Sequence, residues 1–204
     1  MNSAVILFHK NITRYPNSWI SRCIGSIRDQ SYENFDVYEL EYGGNGTQHY
    51  VGSNFESLDL QNHSNAQNHL LDKVFSVGYD VVFNVNIDDF YSTFRFEKQI
   101  EAMEMGYDIV SSNFIRVDED ENPIEALYIS NLDIEKEAAN NRNILAHPAV
   151  CYSKYFWENC TKFNSSEIPK DDFMLWKRSF GKFKFHILPD FLLYQRIHNL
   201  NVSK

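Results

Sequence analysis

The sequence has no long apolar segment and few positive charges. No apolar run comes near the roughly 18–20 residues that span a bilayer, and the apolar part of the opening MNSAVILFHKNITRY is too short for a secretory signal. The 19 Lys and Arg residues are scattered and outnumbered by 28 Asp and Glu residues, which gives a formal net charge of −9. A nucleic-acid surface requires clustered Lys and Arg. We therefore expect a cytoplasmic protein with no transmembrane segment and no nucleic-acid partner.

Cysteine and the common catalytic motifs are also scarce. The three cysteines, Cys23, Cys151 and Cys160, are an odd number without metal-ligand spacing, which favours free thiols in the core. GxGxxG, GxxxxGK(S/T) and GxSxG are absent, which excludes the standard dinucleotide fingerprint, the P-loop and the nucleophile elbow. GGNG at 43–46 is a weak phosphate-loop candidate and is more typical of a turn. The carboxylates remain as the side chains able to carry chemistry.

Strands and helices alternate through the first half of the chain. Apolar, β-branched runs predict strands, and apolar residues at helical spacing predict a helix after each of the first three, with a cap signal at Asn17 and Ser18. The strands are AVILF (4–8), FDVYELEY (35–42), YDVVFNV (79–85) and YDIVSSNFIRV (107–117), and the helices are NSWISRCIGSIRDQ (17–30), SNAQNHLLDKVFSVG (64–78) and FRFEKQIEAMEMG (94–106). This α/β alternation predicts a mostly parallel, Rossmann-like central sheet flanked by helices, with its site at the carboxyl ends of the strands.

After residue 117 the pattern becomes mixed α+β. VDEDENPIEALYIS (117–130) predicts a hairpin with a solvated acidic tip rather than a metal cage. YSKYFWENC (152–160) and DDFMLWKRSFG (171–181) predict short helices, and FKFHILP (183–189) and FLLYQRI (191–197) predict closing strands. Since the chain has 204 residues and no low-complexity linker, we expect a single domain over 1–204.

Two adjacent carboxylates, Asp88 and Asp89, follow a buried strand in DVVFNVNIDDFYS (80–92). Their repulsion at the strand end would be relieved by Mg²⁺ or Mn²⁺, hard cations that prefer oxygen ligands and can bridge to a diphosphate. The alternative is structural, because the same pair could cap the helix predicted directly after it. The position after a buried strand favours the metal site but leaves both explanations open.

Four segments, in this order, resemble family 2 glycosyltransferases of the GT-A fold. They are ISRCIGSIRDQSYENFDVYELEYGG, VVFNVNIDDFYS, DDFMLW and YQRIHNLNVS, and together they extend over nearly the whole chain. The resemblance implies a GT-A-like fold in which about 1–117 bind a nucleotide sugar and about 118–204 bind the acceptor. It further implies a metal-dependent, inverting glycosyltransferase that moves a sugar from a nucleoside-diphosphate sugar, with a UDP-sugar favoured, to a saccharide, protein or other hydroxyl acceptor.

The resemblance also implies roles for the residues at the strand tip. Asp89 would coordinate the cation, Mn²⁺ or Mg²⁺, and Asp88 would contact the donor ribose or assist the metal. His198 matches a further metal ligand of some relatives, with a surface or packing role as the alternative. The nucleotide would lie across the tips of the first two strands, where Phe8 and Lys10 follow the first strand and Lys10 would lie near a phosphate or the base.

The chain departs from the family pattern at three positions. Glu41 matches the first acid of a uracil-contacting pair, but Tyr42 replaces the second acid and could instead stack on the base. Asn86 takes the first place of the family's Asp-x-Asp, where an uncharged amide is a weaker metal ligand. Asn68 matches an asparagine of the donor site, but its neighbour Gln67 replaces an arginine that would meet the diphosphate.

Asp172 in PKDDFMLW fits the position of the catalytic base that the resemblance implies. Inverting transfer needs a carboxylate that removes the proton of the acceptor hydroxyl. Asp171 is the alternative base, and a third interpretation is that both residues only stabilise the start of the following helix. His147 either faces the acceptor or has a structural role, whereas Leu175 and Trp176 are more typical of core than of a sugar platform.

The sequence is compatible with two other functions. The three departures would suit a catalytically decayed nucleotide-sugar-binding module of the same fold. A metal-dependent nucleotidyltransferase or phosphohydrolase also uses strand-end carboxylates, but its triphosphate pocket requires more closely clustered cations than Lys10, Arg14 and Arg196 provide.

Overall fold

A computed structural model describes residues 1–129 and 134–201, so Ser130 of the predicted return strand and residues 202–203 of YQRIHNLNVS lie outside the described residues. The strands are β1 Ser3–His9, β2 Phe35–Glu41, β3 Asn54–Ser57, β4 Val81–Val85, β5 Phe90–Tyr91, β6 Ile109–Val117, β7 Pro123–Leu127, β8 Cys151–Ser153 and β9 Phe185–Arg196. The helices are α1 Asn17–Arg28, α2 His63–Ser76, α3 Arg95–Glu104, α4 Ile134–Ala139, α5 Lys154–Asn159 and α6 Asp171–Ser179.

The strands form one nine-stranded mixed sheet. The order along it is β3-β2-β1-β4-β8-β6-β9-β5, and β7 pairs with β6 beside this path. Strands β3, β2, β1 and β4 are parallel to one another, as are β6 and β9, whereas β8 runs antiparallel to both of its neighbours. The predicted α/β architecture is confirmed, with its parallel block in the first half of the chain and its mixed pairing in the second.

The core lies on both faces of the sheet, which explains why the strand AVILF is apolar without alternation. Val5 and Leu7 of β1 face a layer that contains apolar residues of α1 and α3. Ala4 and Ile6 face the opposite layer, which contains α2 and the buried aromatic residues of α5 and α6. Because apolar layers cover both faces of the sheet, the ends of the strands are where polar side chains can gather.

The elements that the sequence pattern missed are short or irregular. Strands β5 and β8 have two and three residues, which is too few to show a periodicity. The two predicted closing strands are one strand, β9, whose pairing with β6 shifts register between Ser112 and Phe114. The predicted cap was also wrong, because α1 follows Pro16 without a side-chain cap bond.

The predictions for the thiols and for the acidic hairpin are confirmed only in part. Cys23 and Cys151 are free and buried as predicted, and Cys160 is half-buried. Residues 118–122, which we call the acidic hairpin tip, form the predicted turn between β6 and β7. The tip is not merely solvated, because Trp19 Nε1 of α1 donates to Glu119 O at 3.2 Å.

Within 1–129 and 134–201, no helix has the length and apolar character needed to span a membrane.

Candidate functional site

The carboxyl ends of β1, β2 and β4 meet at one edge of the sheet. These strands are parallel, and their register pairs His9 with Glu41 and Leu7 with Val85. The turn between β4 and β5, which carries Asp88 and Asp89, therefore begins beside the ends of β1 and β2. The carboxyl end of β9 reaches the same turn, because β9 pairs with β5.

Asp88 faces His198. The Asp88 Oδ2 atom lies 3.1 Å from His198 Nε2, and Leu200 N–H points at His198 Nδ1 from 3.1 Å. Because Nδ1 accepts a hydrogen bond, the ring proton is assigned to Nε2, which donates to Asp88. The imidazole is buried against Trp19 and Tyr15, with ring centroids 5.0 and 5.6 Å away. This brings together two side chains that are 110 residues apart in the sequence.

Asp89 has a different environment from Asp88. Its side chain is buried, and Oδ1 accepts the main-chain N–H of Arg196 at 2.9 Å. Burial and the neighbouring charge of Asp88 raise the pKa of Asp89 well above its ordinary value. Helix α3 begins after Phe94 without a side-chain cap bond, so neither aspartate caps it. Asp88 is the carboxylate that faces the imidazole of His198, whereas the resemblance implied that Asp89 is the metal ligand.

The side chains that could hold a divalent cation are thus Asp88 and His198. The carboxylate oxygen of Asp88 suits Mn²⁺ or Mg²⁺, and the imidazole of His198 is a softer ligand that suits Mn²⁺ better than Mg²⁺. Ligation through Nε2 would require the ring proton to move to Nδ1 and the Leu200 N–H to turn away from it. Within the described ranges 1–129 and 134–201, no group of three or more His, Cys, Asp or Glu side chains is arranged to hold a metal. Asp88 and His198 are too few to enclose a cation by themselves. They fit a cation that is also coordinated by a bound ligand.

Phe8, Lys10 and Tyr42 form a partly exposed aromatic and cationic patch at the ends of β1 and β2. The Phe8 and Tyr42 ring centroids are 6.3 Å apart, and Lys10 Nζ lies 5.7 Å from the Tyr42 ring centroid. Burial raises the pKa of Tyr42, and the positive charge of Arg14 opposes that shift. Burial and the charge of Asp88 raise the pKa of Tyr15, which accepts a 2.8 Å hydrogen bond from Arg14. Arg14 and Tyr15 therefore lie next to the Asp88–His198 pair, because the Tyr15 ring also packs against His198.

Glu41 does not point its carboxylate at this patch. Its oxygens accept the main-chain N–H groups of Gly43 at 2.9 Å, Gly46 at 3.0 Å and Asn45 at 3.2 Å, together with the hydroxyl of Ser57 at 3.1 Å. Burial alone would raise the pKa of Glu41, but the bonds from Gly46 and Gly43 lower that pKa below its ordinary value. GGNG is thus a turn closed around Glu41 rather than a phosphate loop, and the uracil-contacting role predicted for Glu41 is not supported.

Gly46→Ala is expected to destabilise the protein by about 1–3 kcal/mol, because a Cβ at this position would lie 2.1 Å from Glu41 Cγ. Urea unfolding at pH 7 measures the change. Gly25→Ala is the matched control, since a Cβ on that residue of α1 meets nothing within 4 Å, and a helical alanine should stabilise by about 0.5–1 kcal/mol. Equal stability of the Gly46 variant and the wild type would show that the turn does not close on Glu41.

Asn68 and Gln67 are occupied inside the protein. The amide of Asn68 donates to Phe163 O at 2.9 Å and accepts from Phe163 N at 3.1 Å. Gln67 is buried, with its Nε2 atom 2.6 Å from His147 Nε2. His147 also lies 3.1 Å from the hydroxyl of Tyr152. The donor role predicted for Asn68 is therefore not supported. The contacts of His147 with Gln67 and Tyr152 agree with a structural role for this histidine rather than one facing the acceptor.

Asp171 and Asp172 begin α6 but have different partners. Asp171 is buried and accepts hydrogen bonds from Ser64 Oγ at 2.5 Å and from His63 Nε2 at 3.3 Å. Burial would raise the pKa of Asp171, but these two bonds and the nearby histidines lower that pKa to about 2. Asp172 is half-buried; its Oδ2 accepts from the exposed amide of Asn143 at 3.0 Å, and its Oδ1 accepts the main-chain N–H of Phe173 at 2.6 Å. Asp171 thus joins α6 to α2, whereas Asp172 remains accessible.

Asp171→Asn is expected to lower the free energy of unfolding by about 2 kcal/mol at pH 7. The lowered pKa of Asp171 means that its stabilisation is present above the unfolded value near 4 and is lost as the pH falls towards 2. Urea unfolding between pH 7 and pH 2 should therefore show the variant and the wild type converging in acid. Asp172→Asn, which changes a more exposed contact, should lose less than about 1 kcal/mol. A constant difference at all pH values would contradict the assignment.

Sequence reasoning missed two buried polar groups at this edge. Arg196 is completely buried and contacts the Asp88–Asp89 turn through both its side chain and its main-chain N–H. Glu39 is also completely buried and lies 3.0 Å from His9 Nε2. The sequence did contain a signal for Glu39. Residues two apart in a strand share a face, so Glu39 lies on the same face of β2 as the apolar Val37. The predicted core positions Leu175 and Trp176 are both buried, as expected.

The comparisons with known proteins identify the fold. No protein-family model and no curated protein matches the chain. Among solved structures, S. aureus TarS 1-349 in complex with UDP-GlcNAc has a TM-score of 0.69 and 16% identity over 99% of this chain and 60% of that one. TarS 1-349 in complex with UDP has a TM-score of 0.68 and 14% identity over 97% of this chain and 61% of that one.

A longer TarS structure gives a TM-score of 0.64 at 15% identity, over 97% of this chain and 37% of that one. The chain thus spans between 37% and 61% of these TarS chains. At such low identity the likeness shows the fold alone. It confirms the predicted fold class, a central α/β sheet flanked by helices, which this chain shares with TarS.

Proposed function

We propose that this protein is a glycosyltransferase that moves a sugar from a UDP-sugar to a hydroxyl group of a saccharide, protein or other acceptor. The observation that carries the proposal is the Asp88–His198 pair, which adjoins an aromatic and cationic patch at the carboxyl edge of the parallel strands. Ligands of open α/β sheets bind at this edge. The fold is also that of TarS structures in complex with UDP and UDP-GlcNAc, which supports the same donor class here.

In this proposal the patch of Phe8, Lys10 and Tyr42 binds the donor nucleotide. Phe8 and Tyr42 offer aromatic surfaces to the base, and Lys10 and Arg14 offer positive charge to the diphosphate. This arrangement needs no contact from Glu41, whose oxygens are used within its own turn. In this arrangement Tyr42, which replaces the second acid of the family's uracil-contacting pair, stacks on the base instead.

Asp88 and His198 would hold a Mn²⁺ or Mg²⁺ ion together with the diphosphate. When bound, such an ion neutralises charge that develops on the departing diphosphate and therefore favours the transition state over the bound substrate. Asp89 would act indirectly, because its bond to Arg196 N–H keeps the turn in place. The proposal thus gives Asp88 the metal-ligand role that the resemblance implied for Asp89.

Asp172 is proposed as the base that deprotonates the acceptor hydroxyl in an inverting transfer. Its carboxylate is partly exposed; Asn143 donates to one oxygen and the main-chain N–H of Phe173 to the other, and the remaining lone pairs of the carboxylate could accept the proton. Asp171 is less suited to the role, because Ser64 and His63 occupy its carboxylate and its pKa of about 2 makes it a poor proton acceptor near neutral pH.

Calorimetry with UDP, with and without Mn²⁺, followed by an assay of UDP release from UDP-GlcNAc, tests the proposal. We expect UDP to bind more tightly with Mn²⁺ and the donor to be turned over. Absence of UDP binding under both conditions would refute the proposal. Binding without any UDP release would favour the decayed binding module, for which the uncharged Asn86 and the small number of metal-ligating side chains are the supporting observations.

A further inference from the structure

Arg196 is a buried cation whose donors hold several parts of the candidate site at once. Its side chain is completely buried, and Nε donates to the main-chain oxygen of Asp88 at 3.1 Å. Its Nη1 atom donates to Glu119 O at 3.1 Å, and Nη2 donates to Glu121 Oε1 at 3.0 Å. Its own main-chain N–H donates to Asp89. One residue therefore links the Asp88–Asp89 turn to the acidic hairpin tip.

The surroundings of Arg196 leave its guanidinium little freedom. The guanidinium carbon lies 4.8 Å from the Trp19 ring centroid and 5.5 Å from that of Phe90. A buried cation is tolerated when it is paired and its N–H groups are hydrogen-bonded. Glu121 is the carboxylate that forms an ion pair with it.

The acidic hairpin tip is shaped to present Glu121. The register pairs Val117 with Arg196, so the tip starts directly beside the arginine. Glu121 adopts a φ of +68°, a left-handed conformation that favours glycine, and its Oε2 atom also accepts from Arg22 of α1 at 3.2 Å. Asp118 Oδ1 closes the turn by accepting the main-chain N–H of Asn122 at 2.8 Å. A non-glycine residue in this conformation is consistent with a requirement for its side chain.

We propose that the acidic hairpin tip, acting through Arg196, positions Asp88 and His198 for cation binding. Arg196 and Glu121 are positioning residues in this scheme. The guanidinium holds the main chain of Asp88, and His198 follows Arg196 by two residues at the end of β9, so a shift of Arg196 moves both members of the pair. This inference rests on the proposed function, because it concerns the cation that the UDP-sugar would share.

The test compares Glu121→Ala with Asp120→Ala. Asp120 is exposed at the same hairpin tip and carries the same charge, which makes it a matched control. UDP is titrated by calorimetry with Mn²⁺ and with EDTA. Groups that orient metal ligands typically contribute about 10- to 100-fold to metal affinity, so the gain in UDP affinity that Mn²⁺ provides should fall by about 10-fold in Glu121→Ala. It should change less than about two-fold in Asp120→Ala, and the affinity in EDTA should be unchanged in both variants.

Two further variants separate positioning from general destabilisation. Glu121→Gln retains an oxygen acceptor for Arg196 and should recover most of the Mn²⁺-dependent gain. Arg196→Lys keeps the buried charge but loses the planar fork of donors, and it should lose at least as much of that gain as Glu121→Ala. Hydrogen exchange without ligand should show faster exchange at residues 86–91 in Glu121→Ala than in Asp120→Ala.

The outcomes distinguish this inference from the proposed function. An unchanged Mn²⁺-dependent gain in Glu121→Ala and in Arg196→Lys, or an equal loss in Asp120→Ala, would overturn the inference while leaving the proposed function intact. Absence of UDP binding by the wild type would overturn the proposed function and the inference together. A selective loss in Glu121→Ala, recovered in Glu121→Gln, would support the positioning role.

Discussion

Asp172→Asn should reduce the rate of UDP release from a UDP-sugar by about 10³-fold while leaving UDP affinity within about two-fold of the wild type. An asparagine has nearly the same shape as the aspartate and can still meet the amide of Asn143, but it cannot accept the proton of the acceptor hydroxyl. The rate is measured at saturating donor with Mn²⁺ present, with water as the acceptor until the natural one is known. The affinity is measured by calorimetry with UDP.

Asp171→Asn is the matched control for this experiment, because it makes the same chemical change one residue earlier in α6. It should lower stability, as argued above, and retain the rate within about ten-fold when measured well below its melting temperature. A normal rate in Asp172→Asn would remove the base assignment. If Asp171→Asn instead lost the larger part of the rate while remaining folded, the base would be Asp171 and its bonds to Ser64 and His63 would have to open during turnover.

Asp88→Ala is expected to remove the Mn²⁺-dependent gain in UDP affinity and to reduce UDP release by on the order of 10³-fold or more. The substitution deletes the carboxylate that faces His198, so the diphosphate loses the charge compensation that the cation would provide. The Asp88 side chain is 15% exposed, and the fold should survive its loss. Calorimetry of UDP with Mn²⁺ and with EDTA, together with UDP release, measures both effects.

Asp89→Asn is the control at the neighbouring position. Burial favours the neutral form of Asp89, and an amide oxygen can still accept the N–H of Arg196, so this variant should remain folded with the Mn²⁺-dependent gain reduced less than about ten-fold. The opposite pattern, a complete loss in Asp89→Asn and normal behaviour in Asp88→Ala, would restore the metal role that the family resemblance gave to Asp89.

Most elements of the first half could be predicted because each has a local pattern. The period of apolar residues indicated α1, α2 and α3, and the apolar runs indicated β1, β4 and β6. In the second half, β8 is too short for such a signal, and Pro189 in β9 suggested a break where only the pairing register shifts. The irregular elements depend on strands elsewhere in the chain and have little local signature.

The candidate site residues likewise have some features that the sequence predicts and others that it does not. Their types and their positions at strand and helix ends could be predicted, which is why Asp88, Asp172 and His198 were all candidates. The orientation of each carboxylate could not. Glu41 lies beside Tyr42 at the end of β2 but is turned into its own loop, because its carboxylate accepts the main-chain N–H groups of Gly43 and Gly46.

By itself, the amino-acid sequence determined the alternation of strands and helices, the edge of the sheet where polar groups gather and the absence of the standard phosphate and nucleophile motifs. Only the tertiary structure decided which carboxylate meets which partner. Asp88 meets His198 across 110 residues, Asp89 meets Arg196 across 107 and Asp171 meets Ser64 across 107. The physical reason is that periodicity is a property of neighbouring residues, whereas the charge and hydrogen bonding of a buried carboxylate depend on groups that only the folded chain brings to it.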